Sequence, residues 1–132
     1  MSGVGGLAAA VTALLEADSG VMALAVGGVL GEGRASAVFP FVAVAGVTAR
    51  PWNSGEARGR EAVLTLEAFA RHGGRDAALV LAEACGGALD GASFDLDGGR
   101  VVGLFADSAE AALEKDRQTW RARVKIKALV EV

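Results

Sequence analysis

The last fourteen residues, 119–132, read TWRARVKIKALVEV, and apolar and polar side chains alternate there without a break from Thr119 to Lys127. Trp120, Ala122, Val124, Ile126, Ala128, Val130 and Val132 fall on one side, while Arg121, Arg123, Lys125 and Lys127 fall on the other. A period of two belongs to a β-strand, where successive side chains point to opposite faces. The chain must therefore build a sheet with one face buried and the other accessible.

A second segment repeats the pattern. In 60–71, Ala62, Leu64, Leu66, Ala68 and Ala70 alternate with Glu61, Val63, Thr65, Glu67, Phe69 and Arg71, which predicts a half-buried antiparallel strand. Before it, 37–50 (AVFPFVAVAGVTAR) is dense in Val and Phe. Pro40 and Gly46 mark that strand as an edge or a bulged one, because proline cannot donate to a ladder. The intervening 51–60, PWNSGEARGR, gathers turn formers and charges into an exposed loop, so 37–71 reads as a long hairpin.

Helical spacing appears twice. Leu7, Val11, Leu14 and Leu15 recur at threes and fours and predict a helix over 6–18, ended by Asp18, Ser19 and Gly20. Residues 76–89 predict a second, with Leu79, Ala82, Cys85 or Gly86, and Leu89 along one stripe and Asp76 capping its N-terminus or favouring the local dipole. Gly86 and Gly87 in its last turns imply a close approach to the sheet. Residues 21–30 read as a turn and a strand, 100–106 as a strand, and 107–118 as a polar connection holding a helical turn. The expected fold class is α+β, a mostly antiparallel sheet with two helices packed on one face, in a single domain spanning 1–132.

Composition narrows the function. At 52% hydrophobic and 22% charged the chain is far from the signature of disorder, and much of its apolar content is alanine, so small side chains build the core. No apolar run is long enough to span a bilayer, and MSGVGGLAAA lacks the basic start of a secretory signal. The expectation is a chain without a membrane partner that resides in the cytoplasm. Residues 1–114 hold seven basic and fourteen acidic side chains, net −7, whereas 115–132 hold six and two, net +4. Bulk charge does not suit coating nucleic acid, although a basic strip could still face phosphate or an acidic partner.

Reactive groups are scarce. His72 is the only histidine, beside Gly73 and Gly74, with no serine or cysteine arrangement around it. Cys85 is the only cysteine, and its place in a helix predicts a buried, inert thiol. Glycines between 27 and 33 match no phosphate-loop spacing, and Asp95-Leu96-Asp97-Gly98-Gly99 lacks the further oxygen ligands of a calcium loop. No catalytic, metal or cofactor residue is expected. The basic strand is the unusual constellation: four like charges on one face either blunt a sheet edge or form a contact surface.

Beyond these physical readings, LAAAVTALLEAD followed by Val21, the strand with Pro40 and Phe41, GGRDAALVLAEACGGAL, DGGRVVGLF and EKDRQTWRARVKIKALVEV together resemble the tail-completion (tail terminator) family of long-tailed phages and alphaproteobacterial gene transfer agents. The resemblance covers nearly the whole chain, and each motif is structural. It implies a tail-terminator-like fold without cofactor or catalysis, a homo-oligomeric, hexameric ring between the tail tube protein and the head-side stopper or connector, and transient passage of DNA through the lumen. Such a subunit would be made in the cytoplasm and end in the neck of the particle.

Under that resemblance Arg121, Arg123, Lys125 and Lys127 become candidates for subunit or lumen contact, and Trp52, Asn53, Glu56, Arg58 and Arg60 for contact with the tube or a neighbour. A stopper or tube subunit of the same particle, and a small nucleic-acid-binding module using the basic strand, are the competing readings.

Overall fold

A computed structural model describes residues 6–31, 35–54 and 57–131 of the chain. In chain order it contains α1 (Leu7–Glu16), α2 (Ser19–Leu24), β1 (Val29–Leu30), β2 (Phe41–Ser54), β3 (Ala57–Ala70), α3 (Gly74–Leu89), β4 (Phe94–Leu96), β5 (Gly99–Leu113) and β6 (Trp120–Glu131). The six strands form one sheet in the order β1-β2-β3-β6-β5-β4. Only β1 and β2 pair in parallel; the other pairs are antiparallel. The α+β class holds, with three helices where the spacing predicts two.

The alternating segments become the centre of the sheet. Ala62, Leu64, Leu66, Ala68 and Ala70 of β3 lie directly opposite Ala128, Ile126, Val124, Ala122 and Trp120 of β6. All but Trp120 are at most 3% exposed. The buried residues of α1, α2 and α3 join these positions in a single cluster, so the helices gather on this one face. Small groups fill much of the core that α3 and the sheet share: Ala78 and Ala82 of α3 and Ala62, Ala68, Ala70, Ala122 and Ala128 of the sheet are all buried, beside Leu64, Leu66, Leu81, Leu89 and Ile126.

The close approach at the end of α3 is real at one of its two glycines. A Cβ on Gly86 would lie 3.2 Å from the Cβ of Ala106 on β5, whereas one on Gly87 would meet nothing within 4 Å. At the other end, Gly73 has φ +83° and caps the helix without a side-chain hydrogen bond. Asp76 does not cap; it stands in the first turn, where a negative charge complements the exposed N–H groups.

Three expectations are corrected. Residues 19–24 are helical because Asp18, read from sequence as a terminator, accepts the Val21 N–H at 2.9 Å and starts α2. The same short carboxylate serves a turn and an N-cap equally well. That leaves only Val29 and Leu30 of the predicted strand.

The exposed loop over 51–60 is instead strand on both sides, paired as far as Ser54 with Ala57. Each added antiparallel pair satisfies backbone groups in the ladder. Pro51 is tolerated because β1 pairs only with Val42 and Ala43. Gly46 marks a break in register between Val44 and Gly46, as a bulged strand requires.

Finally, 107–113 continues β5 and is not a connection. Register shifts between Val101 and Gly103 and between Ala106 and Ser108 insert Val102 and Asp107 as extra residues. Two bulges destroy the alternation by which a strand is recognised, while pairing with β6 overrides the helical leaning of Ala and Glu.

Candidate assembly surface

The side of the sheet away from the helices carries the polar positions of β3 and β6. β6 is interior to the sheet, flanked by β3 and β5, so its basic residues do not blunt an edge. Nor do they form a bare cationic strip. Arg123 donates from Nε and Nη2 to Glu67 Oε2 at 3.2 and 3.0 Å, and Arg121 Nε lies 3.6 Å from the same oxygen. Arg121 also reaches Glu114 at 3.4 Å, across the β5–β6 turn. Lys127 lies 3.7 Å from Glu61, which is also held by Arg50 of β2 at 3.2 Å.

The face is thus a mesh of alternating sign. Glu61 and Glu67 are only 16% exposed at their side chains, because flanking cations cover them. Among the described residues Lys125 has no acid within ion-pair distance; it stands exposed between Thr65 and Ser108 on the neighbouring strands. The +4 counted over 115–132 overstates the positive potential here, since the compensating acids come from other strands.

One end of this face closes over aromatic rings. Phe41 and Phe69 are stacked at 4.8 Å between centroids, Phe39 tilts against Phe41 at 5.2 Å, and the Arg71 guanidinium sits 4.4 Å from the Phe39 centroid. Arg71 also donates from Nε to Thr119 Oγ1 at 3.0 Å and lies 3.6 Å from Asp116. The Asp116 carboxylate accepts from the Thr119 hydroxyl at 2.6 Å and from the N–H groups of Gln118 and Thr119 at 2.9 Å. The Thr119 hydroxyl first, then those backbone donors, hold the Asp116 carboxyl down at about 2. These contacts fasten the β5–β6 turn to the end of β3. Sequence reasoning missed them; the signal was Asp116 three residues before Thr119, the spacing of a side-chain-capped turn.

Among the described residues nothing reactive converges. His72 is exposed in the turn before α3. Cys85 is fully buried, and burial first, then the Asp18 charge, push its thiol up to about 12. Asp95 is bound to Arg100 at 2.8 Å, and among the described residues no group of three or more His, Cys, Asp or Glu is placed to hold a metal ion. No helix among the described residues is long and apolar enough to cross a membrane.

Of the hairpin candidates, Trp52, Asn53 and Arg58 lie on paired strand positions, with their side chains outside the described residues, as is Glu56 altogether. Arg60 is half-buried and donates to the Gly59 carbonyl at 3.3 Å. Arg60 is level with Val130, on the side of the sheet opposite the basic residues of β6.

A family model described as Tail completion protein gp17 matches residues 9–131. Among solved structures, a chain in the "Virion of native gene transfer agent (GTA) particle" is 26% identical over 99% of this chain and 98% of that one, with a TM-score of 0.85. No curated protein matches the sequence.

Proposed function

The chain belongs to the tail completion protein gp17 family, and from that premise we propose that it is a non-enzymatic tail terminator of a gene-transfer-agent-like particle. Its subunits form a hexameric ring that caps the tail tube and joins it to the head-side stopper or connector. Assembly takes place in the cytoplasm, and the finished ring sits in the neck, where DNA passes through its lumen.

The observation that carries this reading is the one-sided layering. The buried sides of α1, α2 and α3 share one core with one face of the sheet, while the other face is left uncovered by the described chain yet is fixed by paired charges across β2, β3, β6 and the β5–β6 turn. A face fixed in this way, without a covering layer of its own, suits contact with other subunits. The likeness to a chain of a gene transfer agent virion supports the same setting.

Electron microscopy of particles from cells lacking the protein tests the proposal. Full heads detached from tails of abnormal length are expected. Normal tails detached from heads would instead favour a stopper, and intact particles would exclude both.

The nucleic-acid-module reading is weakened by the mesh, because Arg121, Arg123 and Lys127 already lie near carboxylates. A DNA-binding module that neutralised four phosphates would show a log–log salt slope of about −3.6. A slope near zero is expected here.

A further inference from the structure

We infer that neighbouring subunits of the ring join by strand pairing, the outer edge of β2 in one copy against the outer edge of β5 in the next. This deepens the ring reading above and rests on it. Both edges of the sheet are long and mostly open. On the β2 side, β1 pairs with Val42 and Ala43 only, and on the β5 side, β4 pairs with Gly99, Arg100 and Val101 only. Among the described residues no strand covers 44–54 or 102–113 on those sides.

The register shows how the two openings fit. Val42 is level with Ala68, Ala122 and Ala111, so β1 shields the end of the sheet at which β5 finishes. Pro51 is level with Arg60, Val130 and Val101, so β4 shields the opposite end. Between the two shields, Val44 is level with Ala109 and Arg50 with Gly103, which leaves both edges open over the same span. That span is about seven residues, or roughly 23 Å of strand.

β2 and β5 run antiparallel, being separated by three antiparallel steps. Rotation about an axis near the strand direction therefore sets β2 of one copy antiparallel to β5 of the next. The contact is heterologous and repeats head to tail, as a closed ring requires.

The two edges carry exposed charges of opposite sign. Arg50, 74% exposed at its side chain, stands on the β2 stretch, and the exposed Asp107 and Glu110 stand on the β5 stretch. Val47, level with Leu64 on the core face of the sheet, and Val102 and Phe105 on the other edge, with Phe105 level with Lys127 on the polar face, are large apolar groups left 37 to 46% exposed. Bulges at Ala45, Val102 and Asp107 interrupt a flat ladder, a device that restrains indiscriminate edge pairing by the isolated chain.

Disulfide trapping tests the inference on the full-length chain mixed with purified tail tube protein. In a Cys85→Ala background, Thr48→Cys or Arg50→Cys is combined with Phe105→Cys or Ser108→Cys. The four pairs allow for axial stagger between copies. Oxidation is expected to give a ladder of covalent oligomers for at least one pair. The control, Val80→Cys on the exposed side of α3, should give none. Rings that form by mass measurement with no cross-link in any of the four pairs would overturn edge pairing and leave the ring standing. Failure of the wild-type chain to form any oligomer on the tube protein would overturn both.

Discussion

Arg123 and Glu67 face each other directly across the β3–β6 ladder, and both Nε and Nη2 of the arginine donate to the one oxygen Oε2. The same oxygen lies 3.6 Å from Arg121, so one carboxylate holds two guanidiniums that would otherwise repel. Replacing Glu67 by Gln leaves both cations beside a neutral amide on a partly covered surface. Stability should fall by about 1–2 kcal/mol. Urea unfolding should show a lower midpoint with an unchanged slope.

Lys125, by contrast, stands exposed between Thr65 and Ser108. Lys125→Glu should alter stability by no more than about 0.5 kcal/mol. Any loss of particle assembly in that variant would then report contact with another subunit, and full assembly would remove Lys125 from the interface. Ile126, one position along and fully buried, behaves oppositely. Ile126→Asp should cost several kcal/mol and abolish cooperative unfolding.

The two glycines late in α3 should separate in sign. Gly87→Ala meets no neighbour within 4 Å and should raise stability by about 0.5–1 kcal/mol through helix propensity. Gly86→Val drives its branches toward Ala106 and should destabilise by about 1–3 kcal/mol. Thermal melts of the two variants check both.

Cys85 should resist alkylation at pH 8 in the native chain and react at once in denaturant, since the reactive thiolate is scarce when burial holds the group near 12. Rapid native labelling would show that α3 opens readily from the sheet.

Asp116 predicts an acid limb of stability. Its carboxyl is held at about 2, below the ordinary 3.8, so the folded chain binds fewer protons than the unfolded chain between those values. The contribution is present above about pH 4 and is lost as pH falls toward 2. In Asp116→Asn the stability curve should be flatter across that window, as followed by circular dichroism.

The central strands were legible because one face of each is wholly buried, which writes a strict period of two into residues 60–71 and 119–132. The edge strands were not. β5 carries two bulges and exposes most of 105–113, so neither period nor burial left a pattern there. The tip strands of the hairpin were hidden by Pro51, Asn53, Ser54 and Gly59, residues that usually mark turns but pair here in a ladder.

The basic residues share one face of β6, as their alternation requires, yet their surroundings were not legible. Glu61 and Glu67 lie on β3, more than fifty residues earlier in the chain than their β6 partners, and only the sheet register reveals that they interleave with the cations. The helix at 19–24 was obscured because its capping aspartate looks the same as a terminating one.

The alanines that line the seam between α3 and the sheet set how the subunit tolerates change. There is little side-chain volume to remove at Ala62, Ala68, Ala78, Ala82, Ala122 or Ala128, so truncation to glycine there leaves at most a methyl-sized void. Enlargement is the damaging direction, because each added methylene must force a helix and a sheet apart along their whole line of contact. Substitutions along this seam should therefore be tolerated only among small residues, whereas the exposed strand edges should accept wider change.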